Sequence, residues 1–224
     1  MKKRSVLSSV GPLDLIQTLR DLPAPRAPRS LKAEVLQRVG LSDTYWRLES
    51  PIGAVYVAHS RCGISMVSRA NSDAEFERAF RQRFDRCVLP ESAAPPAAVR
   101  KLIQKLKSGE RPKLRFDLRG LSEFERAVLM KALEIPCGEV RPYSWIAREI
   151  GRPDAVRAVG TALGKNPVPL LIPCHRVVRS DGAVGDYALG GSEAKRQVLA
   201  SEGIPPTAIS DLARQWRTSH MKVS

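Results

Sequence analysis

"YSWIAREIGRPDAVRAVGTAL" runs from Tyr143 to Leu163 and decides how the C-terminal half of the chain is read. Two short segments, "YSWIAREI" and "DAVRAVGTAL", flank a three-residue break that holds Gly151 and Pro153. Helix, short turn with glycine, helix is the spacing of a helix-turn-helix. The second segment is small-sided, because Ala155, Ala158, Gly160 and Ala162 leave Arg157 as its single long side chain. Glycine inside a helix costs about 1 kcal/mol relative to alanine. Two purposes would justify Gly160: tight packing on a neighbouring helix, or a face pressed close to a DNA groove with Arg157 projecting into it.

The flanking segments carry more chemistry. Upstream, Ser122 and Glu125 predict a capping box before "FERAVLMKALE", with Phe124, Val128 and Ala132 on one face. Downstream, "NPVPLLIPCHRVV" (Asn166–Val178) sets Cys174 between a proline and a histidine. The thiolate is the nucleophilic form, and positive charge lowers a thiol's pKa from about 8.5. His175, Arg176 and Arg179 are the candidates for that charge. Adjacent residues on a strand point to opposite faces. Cys174 and His175 can therefore cooperate only if the chain bends at Pro173–Cys174 or a water bridges them. A catalytic base also needs an orienting partner. The helix "SEAKRQVLASE" opens at Ser192 and Glu193 and ends at Gly203, which puts Glu202 at the negative end of its dipole. A carboxylate is disfavoured there, so Glu202 is either a solvated surface residue or a buried partner of a histidine.

From Tyr45 the period changes. "TYWRLES", "AVYVAHS" and "GISMVSR" predict an antiparallel meander, punctuated at Pro51–Gly53 and Arg61–Gly63. "DAEFERAFRQRF" puts Phe76, Phe80 and Phe84 on one helical stripe. "PESAAPPAA" reads as a loop, Val99–Lys107 as a helix and "KLRFDLR" as a strand, with a domain boundary at Gly120 and Leu121. Residues 1–43 hold two helical candidates, "PLDLIQTLRDL" and "RSLKAEVLQRVG", joined by "PAPRAP".

Composition bounds the partners. The 224 residues, 43% hydrophobic, suffice for one large domain or two small ones. A net charge of +14 and a pI near 10.2 favour a polyanion. Yet residues 116–224 carry 15 Lys and Arg against 12 Asp and Glu, so charge alone argues weakly for DNA. Four scattered cysteines, with no CxxC pair, read as free thiols in a reducing compartment. Apart from the adjacent Cys174 and His175, His59 and Cys62 are the only closely spaced His/Cys pair, and no metal site is expected. "MKKRSVLSSVGPLDLIQ" is interrupted by Pro12 and Asp14, which argues against a signal peptide. No apolar run reaches the roughly 20 residues of a membrane span. A cytoplasmic protein without membrane contact is expected.

Arg141–Gly203, with RAVG, NPVP and PCHRV at their spacing, closely resembles the O6-alkylguanine-DNA alkyltransferases. The resemblance is strong from Leu118 to Gly203 and looser from Tyr45 to Leu118. It implies an α+β protein with a ribonuclease H-like α/β domain holding a small antiparallel sheet (44–118) and a helical helix-turn-helix domain (119–205); residues 1–43 and 204–224 lie outside the resemblance, and 1–43 are expected as an N-terminal extension and 206–224 as a tail. It implies a monomer that takes an alkyl group from O6 of a flipped-out guanine in double-stranded DNA, approached through the minor groove. Cys174 would be the single-use acceptor, with His175 its base, Glu202 the holder of the imidazole and Asn166 the brace of the turn. Tyr143, Arg157, Ala155, Ala158 and Gly160 would meet DNA. Tyr187, Pro169, Val184 and Ala188 would line the base pocket, and no cofactor would be needed.

Three departures from the family pattern stand out. The first C-domain helix reads Phe124, Glu125, Val128 and Leu129; "GDYALGGSEAK" is one residue longer than usual, with Ala188 and Leu189 where small polar residues are frequent; and Pro142 replaces a capping serine. Two other functions compete, a DNA-damage sensor without transfer activity and a cysteine hydrolase. Nothing near Cys174 suggests the oxyanion hole that a hydrolase needs.

Overall fold

The computed structural model describes residues 35–36, 39–40, 42–105 and 114–220. The two helices expected within 1–43 lie almost wholly outside the described residues. The meander forms as predicted: β1 (Ser42–Ser50), β2 (Gly53–Ser60) and β3 (Gly63–Ser68) pair antiparallel, with Trp46 opposite Val57 and Val57 opposite Val67. Helix α1 (Asp73–Phe84) follows, capped by Ser72, and buries Phe76 and Phe80 completely while Phe84 stays half-buried.

The fourth strand of the sheet comes from a segment not expected to form one. β4 (Cys87–Pro90) pairs parallel with β1, so the sheet is mixed, in the order β3-β2-β1-β4. Four residues ending in a proline carry almost no alternation signal, and proline is tolerated on such an edge strand. Helix α2 (Ala97–Lys105) comes next.

"KLRFDLR" does not form the strand its alternation predicts. It makes a single bridge, Phe116 to Ile64, framed by Ile64 N–H donating to Arg115 O (2.8 Å) and Asp117 N–H donating to Ile64 O (2.8 Å). The ladder stops because Asp117 turns to bind Arg119, and the chain reverses at Gly120. Even this contact needs Gly63, where an added Cβ would lie 2.3 Å from Arg115 O.

The C-terminal half holds α3 (Glu123–Leu133), β5 (Arg141–Pro142), α4 (Tyr143–Glu149), α5 (Val156–Gly164), β6 (Val177–Val178), α6 (Gly191–Ser201) and α7 (Ile209–His220). Both halves of the Ser122/Glu125 capping box are present, and Val128 and Ala132 are buried beside half-buried Phe124. Pro142 stands before α4 and offers no side-chain cap. The break between α4 and α5 spans residues 150–155 rather than three, because both helices start later or end earlier than their periodicity suggests. The segment expected as a tail carries a 3-10 turn (Pro206–Ala208) and α7, which buries Ile209 and Ala213 against Val140, Val178 and Leu199.

One apolar cluster crosses the expected boundary near Leu118. It joins Val55, Val57 and Val67 of the sheet to Val128, Val159 and Ile172 of the helical half. Among the described residues no helix is long and apolar enough to cross a membrane, and no group of three or more His, Cys, Asp or Glu could hold a metal ion.

Candidate active site

After α5, the chain enters the buried stretch 166–178. The sheet holds its start: Val67 N–H of β3 donates to Pro167 O (2.8 Å), and Arg83 Nη2 of α1 donates to Lys165 O. Asn166 lies between these two carbonyls, 1% exposed. Its Nδ2 donates to Ile172 O (3.1 Å) and to Cys174 Sγ (3.2 Å), and its Oδ1 accepts from Val168 N–H (3.0 Å). One side chain thus ties both ends of the loop to the sulfur.

The bend that Cys174 and His175 require is present. Pro173 (φ −80, ψ 60) leads into a 3-10 turn, Cys174–Arg176, closed by Arg176 N–H donating to Pro173 O (3.0 Å). His175 is fully buried, and its Nε2 lies 2.8 Å from Glu202 Oε1. Its Nδ1 is buried without a hydrogen-bond partner. Burial pushes the His175 pKa down against the opposing pull of Glu202. Glu202, the C-cap of α6, is buried too, which resolves its adverse position on the helix dipole. Burial alone would raise its pKa, but hydrogen bonds from His175 and Arg176 lower it to about 2.

Arg176 does not supply the thiol with charge. Its Nε and Nη2 grip both oxygens of Glu202 (2.9 and 2.8 Å), and its Nη1 donates to Ile135 O (2.7 Å) beyond α3. Arg179 is exposed and paired with Asp181. The cation that acts on the thiol is Lys195, which the sequence argument missed. Lys195 is 1% exposed, donates Nζ to Val177 O (2.6 Å) and approaches the Tyr143 ring at 5.7 Å. Burial lowers its pKa to about 8, while Cys174 and Asp186 pull the other way. Burial raises the Cys174 pKa, opposed by Asn166 and then by Lys195. A signal was available: Lys195 and Glu202 fall seven apart on the α6 face that also carries Val198 and Leu199. A lysine on an apolar stripe is almost never fully buried without a partner.

Cys174 borders a cavity of about 220 Å³, together with Tyr143, Gly160, Leu163, Tyr187 and Ala188. Tyr187 packs edge-on against His175 (centroids 6.0 Å apart), and its hydroxyl is buried without a partner. Pro169 is buried in the loop, bridged to Ile172. Val184 does not join this wall. It belongs instead to the apolar cluster of Val140, Val178 and Leu199.

A second cavity, about 410 Å³, shares Tyr143 and Gly160 with the first and adds Val156, Arg157 and Arg179. Tyr143 therefore stands between the thiol and the outer face. Arg157 and Ala158 are exposed there, and Ala155, half-buried, precedes α5. Gly160 is not required by packing: an added Cβ would come no closer than 3.8 Å, to Tyr143.

Residues 123–204 match the family described as 6-O-methylguanine DNA methyltransferase, DNA binding domain. The methylated-DNA–protein-cysteine methyltransferase of Rattus norvegicus is 54% identical over 83 residues, 37% of this chain and 40% of that protein. The bifunctional transcriptional activator/DNA repair enzyme Ada of Escherichia coli is 36% identical over 169 residues, 72% of this chain and 46% of that protein. The crystal structure of Mycobacterium tuberculosis OGT in complex with DNA matches with a TM-score of 0.57 at 30% identity, over 71% of this chain and 92% of that one. The chain belongs to the O6-methylguanine methyltransferase family. As a member of that family it spans under half the length of the two curated relatives named. The family match covers α3 to α6, so Cys174, His175, Lys195 and Glu202 all lie inside it. Helix α7 lies beyond it.

Proposed function

We propose that this protein repairs DNA by moving a methyl or larger alkyl group from O6 of guanine to its own Cys174. The observation that carries this reading is the Cys174 thiol on a cavity wall, touched by Asn166, with the next residue held by an ionised Glu202. Ionised Glu202 can only accept, so the imidazole proton belongs on Nε2 and Nδ1 keeps its lone pair. A water between Nδ1 and Sγ would relay the thiol proton to His175. Lys195 and Asn166 would steady the thiolate against the cost of its burial.

The thiolate then attacks the alkyl carbon in line with the bond to O6. A C–S bond forms and the C–O6 bond breaks, its electron pair passing into the guanine, which takes up a proton at N1. In balance, the thiol proton ends on guanine and a thioether remains on the protein. That thioether does not turn over, so each molecule reacts once.

O6 of a stacked guanine is out of reach of a protein thiol, so the base must leave the helix. Flipping costs a few kcal/mol, and less for a damaged, poorly paired base. In this reading α4 and α5 act as a helix-turn-helix in the minor groove, where contacts are mainly to backbone and shape. Tyr143, Arg157, Ala155, Ala158 and Gly160 would face the duplex, while Tyr187, Ala188 and Pro169 would hold the extruded base.

The test is incubation with a duplex carrying O6-methylguanine, followed by peptide mass analysis. The Cys174 peptide should gain one methyl mass, one per protein molecule. DNA binding without that gain would favour a damage sensor instead.

A further inference from the structure

The tight turn Arg179–Ala183 is built to present one side chain. Arg179 N–H donates to Ala183 O (2.9 Å) and Gly182 N–H donates to Arg179 O (3.0 Å). Asp181 accepts from Ala183 N–H (2.9 Å) and takes the Arg179 guanidinium on both oxygens, Nη2 at 2.7 Å from Oδ2 and Nε at 3.2 Å from Oδ1. From behind, α7 locks the turn. Gly182 has φ +86, and a Cβ there would fall 2.6 Å from Ser210 Cα.

The turn's position gives the side chain a use. Arg179 lines the 410 Å³ outer cavity with Arg157 and Tyr143, the face that adjoins the Cys174 cavity. Both arginines are exposed, Arg179 at 61% of its side chain and its partner Asp181 at 54%. An ion pair so exposed is worth little. A stronger anion can take the guanidinium from it, and Arg matches phosphate oxygens in the same two-pronged geometry.

We infer that Arg179 is a phosphate clamp of the DNA-binding face: it leaves Asp181 for a backbone phosphate of the duplex that Arg157 and Tyr143 would face. This rests on the DNA-repair reading above. Asp181 then acts as a holder. It keeps the guanidinium oriented on the free protein and competes with DNA for it.

The test is binding of a fluorescent duplex to the full chain over a range of salt concentrations. Each phosphate contact contributes about 0.9 to the slope of log K against log salt. Arg179→Ala should lower that slope by about one and weaken binding about fivefold to tenfold at low salt. Arg179→Lys should keep the slope with part of the affinity, and Asp181→Asn should tighten binding. Circular dichroism checks folding, and Arg179→Gln replaces the alanine variant if that one misfolds. An unchanged slope and affinity in the folded Arg179 variants overturns the inference while leaving the repair reading intact. Failure of the unaltered protein to bind DNA overturns the repair reading itself.

Discussion

His175 Nε2 lies 2.8 Å from Glu202 Oε1, although one sits on a 3-10 turn and the other caps a helix 27 residues later. The contact leaves His175 Nδ1 as the nitrogen that can take a proton. Arg176 closes the arrangement by holding both oxygens of Glu202. Three consecutive residues thus sit on one turn, the thiol first and the two partners of Glu202 after it.

Replacing Glu202 should reveal itself in acid. Its folded pKa of about 2 lies below the ordinary 4.5. The stabilisation it brings is therefore complete above pH 4.5 and is lost as pH falls towards 2, about 3 kcal/mol in all. Urea unfolding of Glu202→Gln should lack this acid dependence and show lower stability at neutral pH, because Arg176 loses its carboxylate. Alkyl transfer should fall by at least about tenfold. A variant with unaltered transfer would remove Glu202 from the mechanism.

Lys195 gives a slope of the same sign at the alkaline end. Its folded pKa of about 8 lies below the ordinary 10.5, so the unfolded chain binds more protons between those values. Stability should rise by up to about 3 kcal/mol as pH goes from 8 to 10.5. Lys195→Met should flatten that rise. It should also move the pH midpoint of Cys174 reaction with iodoacetamide upward, since the cation opposing thiol protonation is gone. An unmoved midpoint would show that Lys195 serves packing alone.

Asn166→Ala should cost both stability and reactivity. It strips the side-chain partner from Val168 N–H and from Cys174 Sγ, both buried, while Ile172 O keeps its bond from Cys174 N–H. Leaving such groups unpaired costs about 1–3 kcal/mol, readable in chemical denaturation. The iodoacetamide midpoint should rise, as with Lys195→Met.

Gly160→Ala separates packing from recognition. The added methyl meets only ordinary contact with Tyr143, so the helix should gain up to about 1 kcal/mol. DNA affinity should fall if the α5 backbone is pressed against the groove. A more stable protein with unchanged affinity would place α5 away from the duplex.

Much of this was legible in the chain. Alternation in Tyr45–Ser68, the Phe76/Phe80 stripe and the Ser122/Glu125 box are short-range patterns that each element expresses by itself. The proline before Cys174 and the odd charge at Glu202 pointed to a bend and to a buried partner, and both are present. β4 was not legible, since a four-residue strand has no pattern until β1 is beside it. "KLRFDLR" had the pattern but not the neighbours, because Asp117 spends its bonds on Arg119.

The sequence by itself determined the meander, the helices α1 to α6 and the bend at Pro173, because each follows from contacts within a few residues. Only the tertiary structure decided which cation is buried near the site. Arg176 and Arg179, nearest along the chain, turned to Glu202 and Asp181, while Lys195 of α6 is buried against Val177 O, where its charge opposes the effect of burial on the Cys174 thiol. Charges act through space, and burial sets their strength. Both belong to the packed molecule and to no local stretch of it.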